Sequence, residues 1–468
     1  MKTAAPEEKF ISLLLATNNM VNEARLGRAL YAVFASYSMS FLIWGLISAS
    51  GILTLKYFSS LIPKWLTPLS AALGPLALMV GNVAMGRLSD LVGRRNILFL
   101  TMSIYSIGLI GMALSIYLNS IKALPIMPIF ILFLVAYMLS QFGIGGEEPP
   151  ALAALTELMP PERRGMALVI VPNFANVGAV IGSLVVVLGV SFEVTYVALI
   201  SMILITLATI AVAAAIRLAL PESVRWLKVR GRVSEAIEIA EREGLKYALE
   251  DYSTGPAVKM PPTWFRALFL SLIGITQLST YGLMAYYITL LGTLPISSSE
   301  YLSSLTILLA NLGASLAGLI GLAIDSISRK SFTLISYLGG LVTMIPIFII
   351  YGILVKTPLA SSLTIFFILL FLNMVFSEFG WAVRTLLEPE LFPTGVRATW
   401  IGVVRLIAWS IYIYLIYYLL SSASTYLYLL ANLILYGVGA AASLAWFIYG
   451  VETRGIPVGV LDKASAPS

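Results

Sequence analysis

The 468-residue chain contains no cysteine and no histidine. The first absence excludes disulfides, thiolate metal sites and thiol catalysis. The second removes the commonest general base and metal ligand, and the side chain that ordinarily titrates near neutral pH. Charge is scarce too: 11% of residues are Asp, Glu, Lys or Arg, against about a quarter in a soluble domain. Proton chemistry must therefore rest on carboxylates. Apolar residues are abundant instead, at 59% of the chain with a mean hydropathy of +0.94. No aqueous core is large enough to hide so much apolar surface, so lipid is the expected solvent.

The apolar residues gather into twelve runs, each near the ~20 residues a spanning helix needs. They are Ala29–Leu53, Leu66–Met85, Ile97–Leu118, Met127–Ala153, Met166–Val190 and Val194–Leu218, then Ala267–Leu294, Tyr301–Ile324, Phe332–Val355, Leu359–Leu387, Thr399–Leu420 and Tyr426–Tyr449. Met1 to Arg28 is mixed in charge without a long apolar stretch, so the first helix is expected to act as its own insertion signal. With both termini inside, the inner segments hold 23 of the 29 basic residues. The outer loops keep Lys56, Lys64, Lys122 and Lys356, and Arg384 and Arg405 fall within helices. This asymmetry obeys the positive-inside rule, so the net charge of +6 reflects topology and no nucleic-acid partner is expected.

The pattern divides the chain into an inner segment 1–28, a six-helix half 29–220, a linker 221–263, a second half 264–450 and a tail 451–468. Within the linker, Ser234–Glu243 reads as a short surface helix with Ser234 as its cap and Gly244 as its end. The halves repeat one another. Gly86, Asp90 and Arg94 recur as Gly321, Asp325 and Arg329, 235 positions on. Glu157, Pro160 and Arg164 recur as Glu390, Pro393 and Arg397, 233 positions on. Parallel repeats with a site between them are a transporter architecture.

These residues resemble the major facilitator superfamily. Pro221-Glu222-Ser223-Val224-Arg225-Trp226-Leu227 resembles the signature after helix six of sugar porters and related metabolite–proton symporters, and Gln277-Leu278-Ser279 with Tyr286-Tyr287 is similar to their helix-seven pattern. Gly145-Gly146-Glu147 and Leu391–Ala398 look more like the organic-acid and niacin branch. The likeness spans Ala29 to Gly455. It departs from the sugar pattern in three places: Ala29–Thr54 holds no acid, Pro172 stands where a glutamine is usual with Asn173 and Asn176 nearby, and Gly380-Trp381-Ala382-Val383-Arg384 replaces a Gly-Pro-x-x-Trp motif. The resemblance implies an all-α integral membrane protein, with twelve helices in two pseudo-symmetric six-helix bundles and both termini cytosolic.

It also implies an inner gate. Asp90 can face the N-terminal dipole of a neighbouring helix, Arg94 and Arg95 can reach Glu157 and Glu222, and Arg164 and Arg225 add charge. Asp325, Arg329, Glu390, Arg397 and Glu452 would mirror them. The plainer alternative is that these charges only set orientation.

Charges inside the membrane cost at least ~2.5 kcal/mol each, so they need a reason. Glu147 and Glu148 precede Pro149-Pro150, and neighbours 100° apart cannot both face a cavity squarely; Glu147 is the expected one, unless both pair with arginines and only pack. Arg384 and Glu388 can pair at i,i+4, which leaves Glu378 partnerless and suited to carry a proton. Arg405 either grips a substrate carboxylate or satisfies Glu147 or Glu378. Gln277 and Ser279 can bond solute hydroxyls, with Tyr281, Tyr286 and Tyr287 beside them; Asn173, Asn176, Trp381 and Arg384 complete the candidate set. Gly178, Gly182, Gly313 and Gly318 read as close-packing sites.

The expected function is secondary active transport of a small sugar-like or organic-acid metabolite across the plasma membrane, with proton symport, by a monomer. An uncoupled facilitator, favoured by the acid-free first helix, and a non-transporting nutrient sensor are the alternatives. No enzyme activity, cofactor or metal is expected.

Overall fold

The computed structural model describes residues 6–249, 258–291, 294–297, 299–356 and 360–465. Residues 250–257 of the linker, Leu359 at the start of the tenth run, and the ends 1–5 and 466–468 lie outside the described residues. The first half comprises α1 (Pro6–Ser59), α2 (Leu66–Val92), α3 (Arg94–Ser120), α4 (Ile126–Leu158), α5 (Arg164–Ser191) and α6 (Thr195–Arg217). Two short helices follow, α7 (Val224–Val229) and α8 (Val233–Glu243). The second half comprises α9 (Thr263–Ala285), α10 (Glu300–Ala317), α11 (Arg329–Lys356), α12 (Ala360–Glu390), α13 (Arg397–Ser422) and α14 (Thr425–Tyr449), and α15 (Val458–Ser465) ends the described chain. Twelve of these segments are long and apolar enough to span a bilayer. Helices are the natural solution there, because each backbone polar group left unpaired in hydrocarbon costs several kcal/mol.

Within the first half α4 packs against α2 and α3, and α1 against α5; within the second, α11 packs against α12 and α14, and α9 against α13 and α14. Two long contacts join the halves, α2 with α13 and α5 with α10. They are equivalent under the repeat, so the seam is pseudo-symmetric. The α1–α5 contact depends on glycine on both sides. A Cβ on Gly178 would run into the carbonyl oxygen of Leu42, and one on Gly45 into that of Ala175. Small residues let the two backbones touch, which in lipid supplies the packing that the hydrophobic effect no longer drives.

Two spans expected to be continuous are broken, each beside a carbonyl that a side chain of another helix bonds. The seventh run stops as α-helix at Ala285, and Tyr287–Leu290 continues as a 3-10 turn. The next α-helical bond would be accepted by Leu283 O, but the Tyr428 hydroxyl donates to that oxygen at 2.6 Å. The eighth run stops at Ala317 and tightens into 3-10 turns over Gly318–Leu322 and Ile324–Ser326. There Asn173 Nδ2 donates to Ser315 O at 2.9 Å, again the next acceptor in line.

In the linker, α8 begins one residue before the expected cap: Arg232 is the boundary, and Ser234 lies inside the first turn without a capping bond. Gly244 does end it, in the left-handed conformation at φ 73°. The preceding α7 is capped by Ser223, whose hydroxyl accepts from Trp226 N at 3.2 Å.

Gly178→Leu is expected to unfold several degrees below wild type in detergent, the effect of an overpacked contact of about 1–3 kcal/mol. Gly437→Leu, with no atom within 4 Å of its Cβ position, should unfold at the wild-type temperature. Circular dichroism melts check both, and equal melting of the two variants would remove the α1–α5 approach as a determinant of the fold.

Candidate functional site

At the end of the molecule that carries the basic loops, the repeated motifs meet across the halves. Asp90 accepts from the Thr399 backbone N–H at 2.8 Å and from its hydroxyl at 2.5 Å, in the first turn of α13. Asp325 accepts from Met166 N–H at 2.9 Å, in the first turn of α5. Each aspartate thus sits at the positive end of a helix in the opposite half. The arginines exchange in the same way. Arg397 pairs with Glu157 at 3.1 Å, and Arg164 with Glu390 at 2.9 Å. Arg94 pairs with Asp90 at 2.6 Å and Glu157 at 3.0 Å and donates to Thr394 O at 3.2 Å in the second half; Arg329 pairs with Asp325 at 3.2 Å.

Glu222 does not meet the arginine side chains it was expected to reach. It accepts from the backbone N–H groups of Arg94 at 3.0 Å and Arg95 at 3.2 Å, capping α3, while the Arg95 guanidinium donates to Leu218 O at 3.1 Å. Unpaired N–H groups at a helix start attract a carboxylate directly. Glu452 does the same for α11, accepting from Arg329 N at 3.1 Å and the Ser328 hydroxyl at 2.6 Å. Burial pushes the Glu222 carboxyl above its ordinary value despite these bonds. Burial also acts on Glu452, but there the Ser328 hydroxyl and backbone N–H donors win and the value falls below the ordinary one. Arg225 is half-buried on α7. The sequence reading missed Asp462 on α15, which accepts from Arg397 at 2.7 Å and from the Thr394 N–H at 3.1 Å and hydroxyl at 2.6 Å. Nothing in its local sequence marks it, because its partners lie 65 and 68 positions away.

Two adjoining cavities lie between the halves farther along the seam. The larger, about 490 Å³, is lined by Tyr137, Gln141, Tyr286, Tyr287 and Tyr412 among others. The smaller, about 360 Å³, is lined by Glu148, Gln277, Trp381, Arg384 and Arg405. Trp44, Leu278, Tyr281 and Trp409 line both. Trp44 stacks obliquely on Trp381 across the halves, with ring centroids 5.9 Å apart.

The buried charges divide between two places. Glu147 lines a third, narrower cavity with Glu148, Ser40 and Trp44 and is paired with Arg217 inside the first half, where Arg217 also donates to Ser40 Oγ at 2.6 Å and Leu98 O at 3.0 Å. Arg217 had the appearance of a loop charge, at the end of an apolar run; only packing shows that it turns inward. Glu148 is the one that lines the smaller cavity, and it pairs with Arg405 of the other half. Arg405 therefore satisfies neither Glu147 nor Glu378. It also pairs with Glu388 at 2.7 Å. Arg384 pairs with Glu388 at 2.9 Å and donates to Gln277 Oε1 at 2.7 Å. Glu378 accepts from Asn176 Nδ2 at 2.7 Å across the halves and forms no ion pair among the described residues. The Tyr281 hydroxyl lies within hydrogen-bond distance of Asn176 Oδ1 at 2.8 Å and Asn311 Oδ1 at 2.6 Å, and its one proton serves one of them at a time.

Of the expected ligand-binding residues, Gln277, Tyr281, Trp381, Arg384 and Arg405 meet around the smaller cavity, and Tyr286 and Tyr287 around the larger. Asn173, Asn176 and Ser279 line neither. Ser279 is buried without a partner for its hydroxyl. Trp44, Trp409, Tyr137 and Gln141 were not anticipated, since single aromatics and amides inside apolar runs carry no periodic signal of a cavity.

Two six-helix bundles, joined by exchanged charges at one end and enclosing a polar and aromatic cavity, define a transporter fold and not an enzyme. Residues 57–462 match the model of the sugar (and other) transporter family, and the chain belongs to it. It is a multi-pass membrane protein. A relative named for niacin/nicotinamide transport, NiaP of Bacillus subtilis (strain 168), is 26% identical over 347 residues, 72% of this chain and 74% of that protein. The niacin transporter NiaP of Acinetobacter baylyi is 25% identical over 366 residues, 73% and 76% of the two chains. The fold is shared with the proton:xylose symporter XylE bound to 6-bromo-6-deoxy-D-glucose, at a TM-score of 0.73 and 15% identity, over 94% of this chain and 100% of that one.

With no native cysteine, the closed face is open to labelling tests. Arg164→Gln with Arg397→Gln should raise maleimide labelling of a cysteine placed at the buried Ala398 severalfold. Labelling unchanged from the single Ala398→Cys protein would mean that the exchanged pairs do not hold this face shut.

Proposed function

We propose that the protein is a secondary active transporter that moves a small polar metabolite, sugar-like or organic acid, by alternating access with proton symport. The face closed by the Asp90, Arg94, Glu157, Arg164, Asp325, Arg329, Glu390 and Arg397 network is the cytosolic gate, in keeping with its basic loops. It breaks as a unit when the inside opens. The solute site is the pair of cavities between the halves. The niacin named for two relatives and the xylose named for the shared fold support both solute classes.

Glu378 carries the proton. One observation bears this reading: the carboxyl is buried, lacks a cationic partner among the described residues, and reaches across the seam to Asn176. Gaining a proton removes an uncompensated charge at the point where the halves must separate. Arginine-paired carboxylates gain much less from a proton.

The test is uptake into proteoliposomes, with and without an inward proton gradient, of labelled sugars and small carboxylates. One solute should accumulate above equilibrium, and Glu378→Gln should abolish accumulation at least tenfold while leaving solute exchange intact. Equilibration without accumulation in the wild type would instead make the protein an uncoupled facilitator, the reading favoured by the acid-free span of α1.

A further inference from the structure

The Glu148–Arg405 pair differs from the other buried ion pairs in both position and surroundings. It joins α4 of the first half to α13 of the second, and both side chains line the smaller cavity. At the basic-loop face cross-half pairs are numerous; inside the cavity this one stands where a solute must sit. Arg405 has a further donor, Nη2, that is buried without a hydrogen-bond partner, as is Trp44 Nε1 beside it. Neutral hydrogen-bonding groups are less available. The Gln277 carbonyl is already taken by Arg384 at 2.7 Å, and the asparagines Asn173 and Asn176 lie outside the cavity lining. The free donors of this cavity are thus Arg405 Nη2 and Trp44 Nε1, and once Glu148 leaves Arg405 Nη1 the two terminal nitrogens form a fork that matches a carboxylate. Three tryptophans, Trp44, Trp381 and Trp409, line it, and such rings suit a planar apolar body.

The cavity is charge-balanced as it stands. Glu148 and Glu388 carry two negative charges, Arg384 and Arg405 two positive ones. From α4 itself Glu147 adds a charge that Arg217 of α6 neutralises; α12 adds Glu378, bound to Asn176 of α5. α1 contributes Trp44, and α9 contributes Gln277 and Tyr281, none of them charged groups. An anion that entered alone would leave an unpaired negative charge in a cavity poor in water, which is costly. Glu388 is held by the Nε atoms of both arginines, at 2.7 and 2.9 Å, whereas among the described residues Glu148 has an ion pair with Arg405 alone. Glu148 is the carboxylate that can be replaced.

We propose that Glu148 is a tethered stand-in for the carboxylate of the solute: a small planar monocarboxylate takes its place on Arg405 as Glu148 takes up a proton. The balance is simple. One anion enters, one proton binds the carboxylate of Glu148, and the charge of the cavity is unchanged; release on the other side reverses both. Any proton carried by Glu378 adds to this one. The exchange also cuts a tie between the halves, so solute binding and loosening of the seam are one event. Glu148 is then a specificity-determining residue. The inference rests on the reading of this cavity as the solute site.

The probe is benzoate, ionised between about pH 5.5 and 8, compared with benzamide, its neutral isostere, and with xylose. Binding to the purified full chain is read by quenching of tryptophan fluorescence. Benzoate should bind at least tenfold more tightly than benzamide or xylose, and its affinity should fall up to about tenfold per pH unit on the alkaline side. Glu148→Gln should bind benzoate at every pH at least as tightly as wild type does at low pH. Equal binding of benzamide, or a wild-type affinity independent of pH, overturns the proposal without any variant having to fold. A full pH slope surviving in Glu148→Gln overturns it too. Failure of the transport reading has a different signature: a protein that binds benzoate in this manner but moves no solute in proteoliposomes keeps the exchange and loses the transporter. A protein that accumulates xylose and ignores benzoate does the reverse.

Discussion

A charge buried where lipid replaces water must find an opposite charge or a set of donors within reach, and the structure is organised around that demand. Removing one partner of such a pair leaves the other unpaired, at a cost of about 3–5 kcal/mol. The arginines at positions 94, 164, 217, 329, 397 and 405 are nearly inaccessible, and each has a carboxylate partner. Most of these pairs join helices distant in sequence. They therefore specify which helices lie side by side, a task apolar packing performs poorly when lipid tails are as apolar as the helices.

The same demand explains how the two halves associate. Each half carries an aspartate, a glutamate and an arginine at equivalent positions, and each of these groups finds its complement in the other half: Asp90 at α13 and Asp325 at α5, Glu157 with Arg397 and Glu390 with Arg164. Each half also pairs these groups internally, Arg94 with Asp90 and Glu157 and Arg329 with Asp325, so the cross-half bonds complete networks begun within each half. An exposed pair of this kind contributes only ~0–1 kcal/mol; buried together, the pairs act as a unit. On the gate reading proposed above, losing one pair would expose its neighbours to water and leave the face two arrangements, closed and hydrated, as a rocking transporter requires.

Much of the basic-face network was legible because two motifs recur at nearly one offset, and repetition turns short spacings into a statement about symmetry. The pairing of Arg384 with Glu388 was legible from helical spacing alone. Other residues misled for identifiable reasons. Glu147 and Glu148 differ by 100° on one helix, and which of them faces the seam depends on the rotation of α4 in its bundle. Arg217 has the sequence context of a loop arginine and turns inward because Glu147, Ser40 and the Leu98 carbonyl await it. Glu222 satisfies the orphan N–H groups of α3, which no residue code displays.

The sequence by itself determined the number of spans, their division into repeated halves, the orientation expected from basic loops and the dependence of any proton chemistry on carboxylates. Each of these follows from composition, periodicity or local spacing, which a linear chain records directly. Only the tertiary structure decided where α9 and α10 break, at Ala285 and Ala317, beside carbonyls that Tyr428 and Asn173 bond from other helices. It also decided that Glu148 meets Arg405 while Glu378 meets only an amide. Those outcomes depend on the angle at which one helix presents a side chain to another, and that angle is set by all the contacts at once.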